Sequence, residues 1–130
     1  MRQIITALQS GTRAWLVLTA LVGGSGLAIG AGGAHALRSL IVPEYLPTFE
    51  TGVRYHLIHA VALLALALQA ERFRIALPAL LFTVGVLLFS GSLYALALGA
   101  PTRIGIITPF GGVALLLGWL SLLRLGPRDR

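Results

Sequence analysis

Four long apolar runs, separated by short stretches that hold nearly all the charge, organise this chain. They cover residues 14–35, 50–70, 75–98 and 108–125. Each has on the order of 20 residues, enough to cross a hydrocarbon layer about 30 Å thick at about 1.5 Å per residue. The pattern predicts an all-α fold: four antiparallel transmembrane helices forming one integral membrane domain over 1–130. The gaps carry helix-end signals. Thr48 is positioned as the N-cap of the second helix, with Glu50 near the positive end of its dipole. Glu71-Arg72-Phe73-Arg74 reads as a tight turn, and Pro78 falls in the first turn of the third helix, where proline is tolerated. Thr108-Pro109 reads as an N-cap followed by proline at the first helical position. His35 to Glu50, with Pro43 and Pro47, reads as a loop or short interfacial helix. Ala34-His35-Ala36 imitates a signal-cleavage site, but the run before it exceeds the roughly 7–15 residues of a signal core, so the first helix is expected to be retained.

Small residues recur at helical spacing. Gly26, Gly30 and Ala34 form one row and Gly91, Ala95 and Gly99 another, both expected to let helices approach closely. A glycine-rich phosphate loop would need a lysine and a preceding strand, and the chain offers neither. Trp15 and Trp119 fall where the first helix begins and the last one ends, the usual place for aromatic anchors.

Composition narrows the class. The chain is 57% hydrophobic with 10 basic and 4 acidic residues, and its mean hydropathy is +0.90. A soluble domain of this size has no interior large enough for so much apolar surface. Cysteine is absent, which excludes disulfides, thiol catalysis and cysteine-ligated metal. The +6 net charge is spread over helix ends, which fits topology signals and headgroup contacts and speaks against nucleic acid. Arg2, Arg13, Arg72, Arg74, Arg124, Arg128 and Arg130 lie on one side of the expected topology; only Arg38, Arg54 and Arg103 lie on the other. That asymmetry places both termini in the cytoplasm of a multi-pass inner (cytoplasmic) membrane protein.

Depth carries the functional information. Measured from each helix's cytoplasmic end, His59, His56 and Arg54 lie roughly 18, 22 and 25 Å up. Ser90, Ser92 and Tyr94 lie roughly 24–30 Å up, Thr108 roughly 24 Å and His35 roughly 33 Å. The polar side chains therefore share the outer half of the membrane. Ionisable groups at membrane depth are functional candidates by default, and the bland alternative is interhelical hydrogen bonding. The candidate ligand-binding set is His35, Arg54, Tyr55, His56, His59, Ser90, Ser92, Tyr94 and Thr108. It is expected to converge, with His59 and Tyr94 facing inward beside a cavity open to the outer surface. Arg54 also has Glu50 one turn away as a partner. His56-x-x-His59 lacks a carboxylate at matching depth, so neither metal nor cofactor is expected.

Four motifs carry a family resemblance. They are Gly30-Ala31-Gly32-Gly33-Ala34-His35-Ala36-Leu37, Phe49-Glu50-Thr51-Gly52-Val53-Arg54-Tyr55 with His59-Ala60, Leu88-Phe89-Ser90-Gly91-Ser92-Leu93-Tyr94, and Ile107-Thr108-Pro109-Phe110-Gly111-Gly112 to Gly118-Trp119. In order and over nearly the whole chain, they resemble the YgdD/YwdK-type small inner-membrane proteins, a domain-of-unknown-function family with eukaryotic relatives. The resemblance implies a four-helix integral membrane protein and no particular reaction. The leading expectation is a non-enzymatic module that binds a polar or anionic group, such as a lipid headgroup, in its outer half, as a homo-oligomer or within a larger membrane complex. The alternative is a small-solute or proton pathway lined by His59, Tyr94 and Ser90. A membrane enzyme using His59 as base lacks a paired carboxylate.

Overall fold

The computed structural model describes residues 2–129, with side chains from Gly11 to Asp129. Four helices follow one another: α1 (Arg2–Ala34), α2 (Leu46–Ala67), α3 (Ala76–Ala97) and α4 (Ile107–Ser121). Each packs chiefly on its chain neighbours, α1 on α2, α2 on α3 and α3 on α4. α2 and α3 are therefore central and α1 and α4 form the flanks. Leu21, Leu27, Val61, Leu87, Phe110 and Leu116 are exposed on the four helices. A surface this apolar is suited to lipid rather than water.

Three stretches, Gly11–Ala34, Ala76–Ala97 and Thr102–Arg124, are long and apolar enough to cross a membrane. The fourth helix, α2, is as long at 22 residues, but Glu50, Arg54, His56 and His59 lower its apolarity. Its position between α1 and α3 resolves the tension: both histidines are buried against neighbouring helices.

Several helix ends differ from the sequence reading. α1 continues back through the polar N-terminal stretch to Arg2. The side chain of Arg2, and Arg130, both counted in the charge asymmetry, lie outside the described residues. α2 starts at Leu46 with Tyr45 at its N-cap and no side-chain cap bond, so Thr48 lies inside the first turn. Pro47 accounts for this, since it needs no N–H partner and its fixed φ suits a helix start. The last helix begins at Ile107, after a 3-10 segment over Thr102–Ile106. Thr108 therefore caps nothing, and its hydroxyl turns sideways to Ser92, 2.7 Å away.

Both ends of the bundle are tied. At the loop end, Ile41 is buried with Phe49 and Ala97, and the Val42 N–H donates to the Ala97 carbonyl at 2.9 Å. At the end holding the termini, the C-terminal segment pairs with the α2–α3 turn. Phe73 and Pro127 form a bridge, the Arg128 N–H donates to the Arg72 carbonyl at 2.8 Å, and Arg74 forms an ion pair with Asp129.

The glycines show where backbones come closest. A Cβ on Gly26 would stand 3.0 Å from His56 and Leu57, and one on Gly30 would stand 2.9 Å from Val53. These two glycines belong to the α1–α2 seam together with Gly33, whose missing Cβ makes room for the Phe49 ring. Ala34 is exposed and lies beyond that seam. The second row is not a contact surface. Gly91 is exposed and a Cβ there would meet nothing within 4 Å, as at Gly99. Ala95 is only half-buried, and its carbonyl accepts from the Ala100 N–H at 2.9 Å. Gly99 serves the turn instead, with a left-handed φ of 93°. The contacts of α3 and α4 run through Gly85, Gly111 and Gly118.

Candidate functional site

The inward-facing polar groups fall into separate nodes, each joining particular helices. The first joins α1, α2 and α3 at His56. Gly26 lacks a Cβ, so the His56 ring can lie against α1 and reach the Val22 carbonyl at 2.8 Å. A carbonyl oxygen only accepts, so His56 Nε2 carries the hydrogen. Its Nδ1 is then the acceptor for the Tyr94 hydroxyl at 3.0 Å. Ser25 Oγ donates to the same Val22 carbonyl at 3.0 Å. Gly52 of α2 leaves the space that Tyr94 of α3 fills at this node: a Cβ there would fall 2.8 Å from the Tyr94 ring.

The second node joins α2 and α4 at His59, with the opposite tautomer. Nδ1 donates to the Tyr55 carbonyl at 2.7 Å, which leaves Nε2 to accept the Trp119 indole N–H at 3.0 Å. The Phe82 ring packs 5.2 Å from both the His59 and Trp119 rings. Trp119 is the partner that sequence reasoning missed. It reads as an interfacial anchor near a helix end, yet its N–H is spent inside the bundle while its ring stays 46% exposed.

Two hydroxyl links complete the set. Ser90, fully buried, donates to the Gly52 carbonyl at 2.7 Å. Ser92 donates to the Phe89 carbonyl at 2.9 Å and accepts from Thr108 at 2.7 Å. His56, His59, Ser90, Ser92, Tyr94 and Thr108 thus find partners in the protein, as buried polar groups in lipid must. Proton relay through His59 would require breaking the Trp119 bond, because the indole N–H cannot accept.

The remaining candidates lie elsewhere. Tyr55 is exposed, its ring 4.8 Å from Phe89. His35 is exposed just past the end of α1. Arg54 lines an open cavity of about 360 Å³ between the end of α1 and the start of α2, together with Arg38 and Glu50. Gly30, Gly33 and Ala34 form one wall of this cavity and Leu46, Phe49 and Val53 the other. Arg38 comes from a 3-10 turn (Arg38–Leu40) in the α1–α2 loop, a residue the sequence reading counted only as a topology signal. Glu50 and Arg54 do not form the expected one-turn pair; among the described residues the ion pair is Arg74–Asp129, at the opposite end.

The node geometry predicts a graded response at position 56. His56→Gln retains one donor and one acceptor for Val22 and Tyr94, whereas His56→Leu strands the Tyr94 hydroxyl. Leucine should lower unfolding stability in detergent by about 1–2 kcal/mol and glutamine by less than half of that. Equal losses would contradict the hydrogen-bond assignment.

Comparison with known proteins places the chain among membrane proteins. Residues 29–112 match the family model described as Protein of unknown function (DUF423). The chain is 44% identical over 112 residues to a UPF0382 membrane protein of Haemophilus influenzae, covering 83% of this chain and 89% of that one. It is 36% identical over 116 residues to the UPF0382 inner membrane protein YgdD of Escherichia coli, covering 86% and 88%. It is 35% identical over 115 residues to the UPF0382 membrane protein YwdK of Bacillus subtilis, covering 85% and 94%. No solved structure matches. With its apolar helices and lipid-suited surface, this is a multi-pass inner-membrane protein, and it belongs to the UPF0382 (DUF423) family of membrane proteins of unknown function.

Proposed function

We propose that the protein is a non-enzymatic membrane module that binds an anionic headgroup in the cavity between α1 and α2, on the outer side of the membrane. The observation that supports this reading is the pair Arg38 and Arg54, which line one cavity from two different elements. Guanidinium groups are suited to phosphate because they offer planar paired donors. The first turn of α2 borders the same cavity and brings the positive end of the helix dipole to it. The histidine nodes hold the helices that frame this cavity, and they leave no ring nitrogen for a ligand.

Native mass spectrometry after mild extraction tests the reading. A charge-assisted hydrogen bond contributes about 1.5–3 kcal/mol, or roughly a tenfold to hundredfold change in affinity. Wild-type protein should retain phospholipid, and the Arg38→Gln/Arg54→Gln double variant should lose at least about tenfold of it. Equal retention would refute the reading. The outward orientation follows from the arginine asymmetry. A cytoplasm-active reporter fused after Arg130 should be active and a periplasm-active one silent; the reverse would put the cavity on the inner side.

A further inference from the structure

Resting on the reading that this cavity takes an anionic group, we infer that it recognises a zwitterionic aminoalkyl phosphate, with the phosphate on Arg38 and Arg54 and the ammonium on Glu50. Glu50 lines the same cavity as the two arginines. It is exposed and stands one helical turn before Arg54, a spacing at which opposite charges pair readily. Yet among the described residues neither is in an ion pair. A cavity made for a plain anion gains nothing from this carboxylate, which repels the ligand's charge. A ligand with both signs uses all three side chains. Residues 50 and 54 are separated by roughly 6 Å of helical rise, comparable with the span of a two-carbon bridge from phosphate to amine.

The same walls favour a membrane lipid over a free solute. Leu46, Phe49 and Val53 present apolar surface beside the charged groups. The cavity's volume of about 360 Å³ suits a headgroup and glycerol, and its open side leaves acyl chains in the bilayer. The chemistry is that of an ethanolamine phosphodiester. Choline carries no N–H to donate to the carboxylate, and glycerol headgroups carry no cation.

The test uses the full chain in nanodiscs holding equal phosphatidylethanolamine, phosphatidylglycerol and phosphatidylcholine, with lipid retention read by native mass spectrometry. Wild-type protein should retain phosphatidylethanolamine over the other two by about tenfold. Glu50→Gln should level that preference or turn it toward phosphatidylglycerol, with an unchanged thermal midpoint confirming that the exposed substitution leaves the fold intact. A wild-type preference for phosphatidylglycerol, or a phosphatidylethanolamine preference that survives Glu50→Gln, would overturn the inference. If Arg38→Gln/Arg54→Gln still loses lipid in that case, the anionic-headgroup reading stands without it. If the arginine variant retains lipid like wild type, the earlier reading fails and this one with it. Soluble phosphoethanolamine is the second arm. Failure to displace bound phosphatidylethanolamine supports the lipid source, and displacement at submillimolar concentration overturns it in favour of a free solute.

Discussion

Gly111→Leu should separate α3 from α4. A Cβ at position 111 would lie 2.2 Å from the Phe89 nitrogen and 2.7 Å from its Cα, with the Leu88 carbonyl carbon at 2.8 Å. These are backbone atoms of a helix, so no rotamer change relieves the clash and the helices must move apart. Overpacking a well-fitted interior costs about 1–3 kcal/mol when side chains can adjust. Here they cannot, so the loss should reach about 3 kcal/mol, or roughly 10 °C in the thermal midpoint in detergent. Gly91→Leu is the matched control. It adds the same side chain to α3 at a position where a Cβ meets nothing within 4 Å, and its midpoint should stay near wild type. Equal falls for both would mean that the glycine contacts do not hold α4 in place.

Phe82→Ala should be the most damaging truncation. Phe82 is 0% exposed and fits beside Gly118, where a Cβ would come within 2.6 Å of its ring. It also supports the His59–Trp119 pair from α3. Phe→Ala in soluble cores costs about 3–5 kcal/mol. In a bilayer the transfer part shrinks, because lipid is as apolar as the protein interior. The lost dispersion contacts remain, so a loss near the lower end, about 3 kcal/mol, is expected. Trp119 fluorescence should shift as its ring loses Phe82. Leu87→Ala, on the exposed face of the same helix, should stay within about 0.5 kcal/mol of wild type. If the two variants behave alike, the α2–α3–α4 core is not packed as described.

These contacts explain what the sequence could and could not reveal. Helix number and order were legible because apolar runs in lipid have few alternatives. The Gly26–Gly30 seam was legible as a row spaced four residues apart. The α4 contacts were not, because Gly111 and Gly118 are two turns apart and touch different α3 residues, Phe89 and Phe82. Gly91, in a better-looking row, faces away. The spacing of small residues locates a stripe but does not say which face a neighbour will cover.

The polar band followed the same rule. Depth arithmetic put His56, His59, Ser90 and Tyr94 in the outer half of the membrane, and the bilayer's lack of partners required them to turn inward. Depth alone does not give azimuth. His56 turns to α1 and α3 while His59, three residues on, turns to α4, so the band divides into separate nodes. The C-terminal segment was read only for its charge. Its pairing with the α2–α3 turn through Phe73 and Pro127 depends on backbone hydrogen bonds, which leave no side-chain pattern. Arg38 was similarly visible as a charge but not as a cavity wall, because the loop fold that brings it to Arg54 has no periodicity to read.

The decisive measurement is a structure of the full chain determined in phosphatidylethanolamine-containing nanodiscs. It should show a phosphate within hydrogen-bonding distance of both Arg38 and Arg54, with the His56–Tyr94 and His59–Trp119 bonds intact and no ligand between them. A ligand inserted at His59 or His56, with the arginine cavity holding only water, would contradict the headgroup reading.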